Sequence, residues 1–169
     1  MQDLGVRIRR AIPDEWERVR ELRLRSLEDA PEAFGSTLER ESAFEHREWV
    51  AWIDGWEGTR NVLYVAEAER DGAWVGMAVG SRTGEERRAH LYAMWVDPAW
   101  RTRGLGTGLV RAVLEWARSW GARSVVLAVT ESNDGAARFY ERIGFVDTGL
   151  RHPLRDGSPV SARVLRREP

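Results

Sequence analysis

Cysteine is absent from this 169-residue chain, and so is lysine: all 26 basic residues are arginine. The first absence excludes disulfides, thiol nucleophiles, acyl-enzymes on sulfur and cysteine-ligated metals. The second reads as coding bias, because the arginines are dispersed over several expected helices and make no patch. No apolar run reaches the roughly 18 residues that a membrane-crossing helix needs. The opening "MQDLGVRIRRA" lacks the apolar stretch of a secretory signal. A soluble cytoplasmic protein is the default expectation. A net charge of -1 gives no basis for electrostatic capture of nucleic acid or of a membrane surface. What is present fits a globular chain: 43% hydrophobic and 31% charged residues, over a length that suits one domain, residues 1–169.

Periodicity divides the chain into elements. "VRIRRAI" (Val6–Ile12) alternates as a half-buried strand. Pro13 opens a helix with Trp16, Val19, Leu22, Leu24 and Leu27 on one face, and "EDAPEAFGST" breaks it. A second helical region is expected from about Leu38 to Trp56. Asn61–Glu69 and Ala73–Arg82 form a hairpin around Asp71-Gly72, followed by the charged turn "TGEERR". Ala89–Val96 is mostly apolar and reads as a central strand. A helix follows the glycine-rich stretch and ends near Gly121; Ser124–Thr130 is a buried strand. Asn133 caps a short helix stopped by Gly144. Phe145–Leu150 and Val160–Arg166 complete the sheet, separated by "RHPLRDGSP". The expected order is β-α-α-β-β-β-α-β-α-β-β, without repeats or linkers.

Between the central strand and its helix lies "RTRGLGTGL", Arg101–Leu109. Three glycines in nine residues are costly unless the backbone needs them. The dinucleotide fingerprint G-x-G-x-x-G fails here, since the glycines are Gly104, Gly106 and Gly108, and no Gly-Lys-Ser/Thr follows for a P-loop. What remains is strand, Asp-Pro, Arg-x-x-Gly-x-Gly, helix. Free N–H groups at a helix start, with the positive end of its dipole, bind phosphate. Arg101 and Arg103 can add charge-assisted contacts.

"VDPAWRTRGLGTGLV" resembles the acyl-CoA pyrophosphate loop of the GNAT superfamily of N-acyltransferases, Arg/Gln-x-x-Gly-x-Gly/Ala, through Arg101, Gly104 and Gly106. "NDGAARFYERIGF" resembles that family's Asn-x-x-Ala-x-x-x-Tyr-x-x-x-Gly-Phe, through Asn133, Ala136, Tyr140, Gly144 and Phe145. Gly108 is one glycine more than the signature needs. The resemblance implies an α/β (α+β) fold: a central mixed, mostly antiparallel sheet of six to seven strands, flanked by about four helices and splayed at the acyl-CoA site. It implies acetyl-CoA as cosubstrate. The Met94, Trp95 and Val96 backbone would pair with pantetheine as an added strand would. The amides of Arg101, Thr102, Arg103, Gly104, Leu105, Gly106 and Thr107 would hold the pyrophosphate, with Asn133 beside the pantetheine arm.

Acetyl transfer to an amine needs a neutral amine, a polarised carbonyl and a proton for the departing thiolate. Tyr140, the tyrosine that the family motif places there, fits the last role, since a phenol of ordinary pKa about 10 can protonate a developing thiolate. A backbone N–H near Trp95 or Val96 would polarise the carbonyl. His90, eleven positions before Arg101, stands where histone-acetylating relatives carry a glutamate base. The departure leaves two routes open, His90 or ordered water. Tyr92, on the same strand face, could line the acceptor pocket. His46 and His152 read as passive. Glu28, Asp29, Glu32, Glu39, Glu41, Glu45 and Glu48 read as a solvated face in preference to a trap for a cationic amine, and Trp49, Trp52 and Trp56 as core in preference to an aromatic cage. The expected function is direct acetyl transfer to an amine on a small molecule or peptide, with a homodimer feasible and nucleic acid and membrane excluded. A CoA-binding sensor without turnover is the alternative.

Overall fold

A computed structural model describes residues 5–83 and 86–169. The first four residues of the opening segment, and Gly84 and Glu85 of the charged turn, lie outside the described residues.

Strand β1 (Val6–Arg10) leads into a 3-10 turn at Pro13–Glu15, where proline's missing N–H costs no ladder bond, and then into α1 (Trp16–Asp29). The stretch expected as one helix from Leu38 to Trp56 is instead two, α2 (Leu38–Ser42) and α3 (His46–Asp54). The reason is a second helix start inside it. Thr37 Oγ1 accepts from the Arg40 N–H (3.2 Å) to cap α2, and the Glu48 carboxylate accepts from the Glu45 N–H (2.9 Å) to open α3. Then follow β2 (Thr59–Ala68), β3 (Trp74–Thr83), β4 (Arg88–Val96), α4 (Leu105–Ser119), β5 (Ser124–Thr130), α5 (Asp134–Arg142), β6 (Val146–Pro153) and β7 (Ser161–Arg167). β6 runs three residues into the segment expected as a loop, because Arg151, His152 and Pro153 pair with Arg163, Ala162 and Ser161.

The sheet order is β1-β2-β3-β4-β5-β7-β6. Every pairing is antiparallel except β4 with β5, whose parallel direction requires the α4 crossover. One face carries α4 and α5 over Leu91, Val96, Leu127 and Leu165; the other carries α1 and α3 over Leu63, Val65, Met77 and Trp95.

Two features set β4 apart from its neighbours. Its pairing with β5 stops after Arg88–Ser124, Ala89–Val125 and His90–Val126, so from Leu91 onward the two strands diverge. It also bulges. Met77 pairs with Trp95 and Val79 with Tyr92, so Ala78 alone faces Ala93 and Met94. Ala93 takes the left-handed conformation, φ +51°, which costs a non-glycine residue about 1–2 kcal/mol. Before the bulge Ala89 and Leu91 face α4; after it Met94 and Val96 do, while Tyr92, Ala93 and Trp95 face the α1–α3 side.

Candidate active site

The wedge between β4 and β5 opens toward the strands' C-terminal ends, and the starts of α4 and α5 flank its mouth. Asp97 N–H donates to Val75 O (2.8 Å), toward β3. By alternation the N–H and C=O of Val96 point the other way, into the wedge. Val96 therefore presents its N–H on the open side of β4, within the Met94–Val96 segment where the resemblance implies an added strand.

The start of α4 is bare. Gly104 is its N-cap, left-handed at φ +82°, and provides no side-chain cap; no acidic residue lies in the first turn. The first intrahelical bond is Gly108 N–H to Gly104 O (3.0 Å), so the amides of Leu105, Gly106 and Thr107 precede any helical acceptor. Gly104 meets the conformational demand of this turn. The other two glycines answer to packing. A Cβ on Gly106 would lie 3.2 Å from Phe139 Cζ and 3.3 Å from Met94 Cε, and one on Gly108 only 2.6 Å from Ile8 Cδ1. Gly108, the surplus glycine of the motif, lets β1 approach α4.

Neither arginine of the loop extends freely. Arg101 donates from Nε to Val96 O (2.9 Å) and from Nη2 to Asp29 Oδ2 (2.5 Å). Arg103 stacks over Trp100, 5.3 Å from its centroid. Thr102 is left-handed, φ +63°, with its hydroxyl on Arg101 O (2.6 Å).

α5 starts differently. Asn133 Oδ1 accepts from the Ala136 N–H (3.1 Å), so these two motif residues cap the helix between them. One turn on, Tyr140 is 8% exposed, packed edge-on against Phe139 (5.0 Å) and Phe145 (5.6 Å). Its hydroxyl has no hydrogen-bond partner among the described residues, and burial raises its pKa above the ordinary tyrosine value.

His90 stands at the vertex of the wedge, on the α1–α3 face. Burial first, and then Arg88, hold its pKa below the usual histidine value. The structure therefore does not bring His90 into the cluster around Tyr140; they occupy opposite faces beside the same gap. Tyr92, on His90's face, bonds through its hydroxyl to Asn61 Nδ2 (3.0 Å) and packs against Trp52 (5.6 Å), and burial pushes its pKa up to about 12.

The acidic wall departs from a uniformly solvated face at two places. Glu41 is 1% exposed in a two-bond pair with Arg23 (2.8 Å each), itself 3% exposed. Asp29 Oδ2 accepts from Trp95 Nε1 (2.9 Å) as well as Arg101. Trp49 and Trp52 are core, as expected, while Trp56 is 45% exposed. Sequence reasoning also missed the strap formed by residues 30–37. Thr130 Oγ1 donates to Glu32 O (2.7 Å), and Arg155 Nη1 donates to Phe34 O (3.0 Å) and Ser36 O (3.3 Å). A groove of about 590 Å³ lies elsewhere, between α4 and the end of α5, lined by Thr107, Arg111, Arg118, Arg142 and Arg167 among others. Tyr140 does not line that groove, which meets the glycine loop only at Thr107.

Residues 16–145 match the model of the Acetyltransferase (GNAT) family. The chain belongs to that family. GNAT relatives include an uncharacterized N-acetyltransferase of Methanocaldococcus jannaschii, 32% identical over 107 residues, covering 60% of this chain and 47% of the relative. The N-alpha-acetyltransferase RimI of Mycobacterium tuberculosis is 35% identical over 103 residues, covering 60% and 63%. The L-amino acid N-acetyltransferase AaaT of Escherichia coli is 27% identical over 149 residues, covering 85% and 89%. The chain spans about half the length of the first of the curated relatives it matches. The GNAT fold is shared with a GCN5-related N-acetyltransferase from Kribbella flavida (TM-score 0.75, 22% identity, 98% of both chains). It is also shared with the PaiA N-acetyltransferase from Thermoplasma acidophilum in complex with coenzyme A (TM-score 0.69, 17% identity, 98% of this chain and 100% of that one). No helix among the described residues is long and apolar enough to cross a membrane.

Proposed function

We propose that residues 1–169 act as one acetyl-CoA-dependent N-acetyltransferase domain whose acceptor is a primary amine on a small molecule or peptide. The observation that carries this reading is the bare start of α4 beside an unfilled strand edge. Among the described residues, the three amides of Leu105 to Thr107 have no acid and no capping side chain before them, where a pyrophosphate needs donors. The Val96 N–H turns into the gap that opens where β4 and β5 stop pairing, while Val96 O takes Arg101 Nε, and the Tyr140 hydroxyl stands without a protein partner among the described residues. Asn133 and Ala136 stand at the start of α5, which follows β5 on the other side of that gap.

Bound there, acetyl-CoA supplies a thioester acyl group for direct attack by the amine, with release of the thiol. The chain's own residues then divide the work. Amides from Thr102 to Thr107 hold the phosphates. The Val96 N–H donates toward the carbonyl oxygen. Tyr140 Oη, protonated at neutral pH as any phenol of ordinary or raised pKa is, donates its proton toward the leaving sulfur. His90, kept neutral by its lowered pKa, offers a lone pair for the amine proton, directly or through water. The strap of residues 30–37, with Tyr92 in the same core, forms the acceptor wall. Association of two copies along the exposed β6 edge, where Val146 and Leu150 are exposed, completes the proposal.

Calorimetry with acetyl-CoA, and a transfer assay over amino acids, peptides and polyamines, test the reading. Binding with turnover supports it; a protein that binds no acetyl-CoA refutes it. Binding without turnover on any amine favours a sensor.

A further inference from the structure

Arg25 and Asp29 lie one helical turn apart on α1, and Asp97 and Arg101 are likewise four residues apart across the β4–α4 junction. Their charges are complementary in order. Arg25 Nη2 donates to Asp97 Oδ2 (2.5 Å), and Arg101 Nη2 donates to Asp29 Oδ2 (2.5 Å). Each half has a second fastening. Arg25 Nη1 donates to Trp74 O (3.3 Å). Asp29 Oδ2 takes the Trp95 indole N–H, and Arg101 Nε donates to Val96 O. The last turns of α1 thus grip the glycine loop on both sides and hold the two strand residues at the wedge.

We propose that the Arg101 guanidinium is a strut that fixes the glycine loop to α1, and not a ligand of the cosubstrate phosphates, with Asp29 as its positioning residue. This rests on the acetyl-CoA reading and adds to it. Two of the three guanidinium nitrogens are committed to protein acceptors, and the phosphate contacts fall to backbone amides. The indole N–H of Trp95 and then Arg101 hold the Asp29 carboxyl below its ordinary range, as two donors converging on one oxygen should. α1 continues into the strap that forms the acceptor wall, so the brace ties the position of that wall to the position of the cosubstrate loop.

A double-mutant cycle on acetyl-CoA binding by calorimetry decides it. Asp29→Asn keeps the shape but loses the charge that holds Arg101. The strut predicts that Asp29→Asn and Arg101→Gln each weaken binding about tenfold, and that the double variant is no worse than about threefold below the weaker single. A phosphate ligand predicts the reverse pattern: Asp29→Asn frees the guanidinium and binds as tightly as wild type or more so, and that outcome overturns the proposal. Additive losses overturn it too. The reversed pair, Asp29→Arg with Arg101→Asp, guards against a loss that reflects only poor folding. A strut of inverted polarity recovers part of the binding lost by either reversed single variant, whereas aspartate beside a phosphate ligand site recovers none. Wild-type protein that binds no acetyl-CoA would remove the functional reading and this inference with it. Wild-type binding with Asp29→Asn unaffected removes this inference alone.

Discussion

Two helices begin at the mouth of the same wedge, each after one of the two parallel strands, and their first turns are opposites. α5 is self-sufficient: Asn133 caps it, Asp134 occupies its first turn, and the dipole is answered from within the chain. α4 has a left-handed glycine, no capping side chain and no acid. A helix start left unanswered costs stability, and a fold carries that cost where something else supplies the negative charge. On the proposed reading, two equivalent positions in one architecture serve structure in one case and binding in the other.

Reversing the contrast gives the largest expected effect. Thr107→Asp puts a carboxylate into the first turn of α4. It should raise stability by roughly 0.3–1 kcal/mol while weakening acetyl-CoA binding by about 100-fold or more, read by thermal melts and calorimetry on one sample. Unchanged affinity would mean that the bare start is not the anion site. Next in size, Tyr140→Phe should lower kcat by about 100-fold and leave the Kd for acetyl-CoA within about twofold, a split that a packing role would not produce. At the self-sufficient start, Asn133→Ala should cost about 1 kcal/mol of stability, with less than about tenfold loss of acetyl-CoA affinity. A binding loss as large as that of Thr107→Asp would erase the distinction between the two starts. The smallest effect concerns His90. Its pKa is lowered, so the neutral base persists at neutral pH. The acid limb of kcat/KM should then fall below the ordinary histidine value of about 6.5, and His90→Gln should remove that limb. A profile unaltered by His90→Gln assigns the proton to water.

Much of this is legible in the sequence because it is local. The glycine loop, the Asn133 cap and the strand spacing are written within a few residues of where they act. The break at Ala43–Glu45 is hidden because Glu45 and Glu48 read as members of a charged helix face, not as a helix start. Glu41 reads with the same solvated acids, yet it is sealed beneath Phe34 and Trp52 with Arg23, eighteen positions away, and only tertiary packing brings the pair together. Asp29 groups with them for the same reason. The brace does leave a trace in two i, i+4 pairs of opposite sign order, Arg25/Asp29 and Asp97/Arg101, although nothing local says that they meet. Ala93 leaves none, because alanine gives no sign of a left-handed backbone.

That alanine has a consequence for how the two cores are assigned. A strand sorts its side chains by parity, odd to one side and even to the other, and β4 changes parity once, at Ala93. Upstream of it the even-numbered His90 and Tyr92 face the α1–α3 side; downstream the odd-numbered Trp95 does. Flattening the bulge while keeping the residue would not merely straighten a strand. It would exchange the contents of the two layers from Met94 onward, sending the Trp95 indole under α4 and breaking its bond to Asp29, whereas deleting Ala93 would restore plain alternation and leave both layers as they are. The bulge is the point at which one continuous strand is read in two frames.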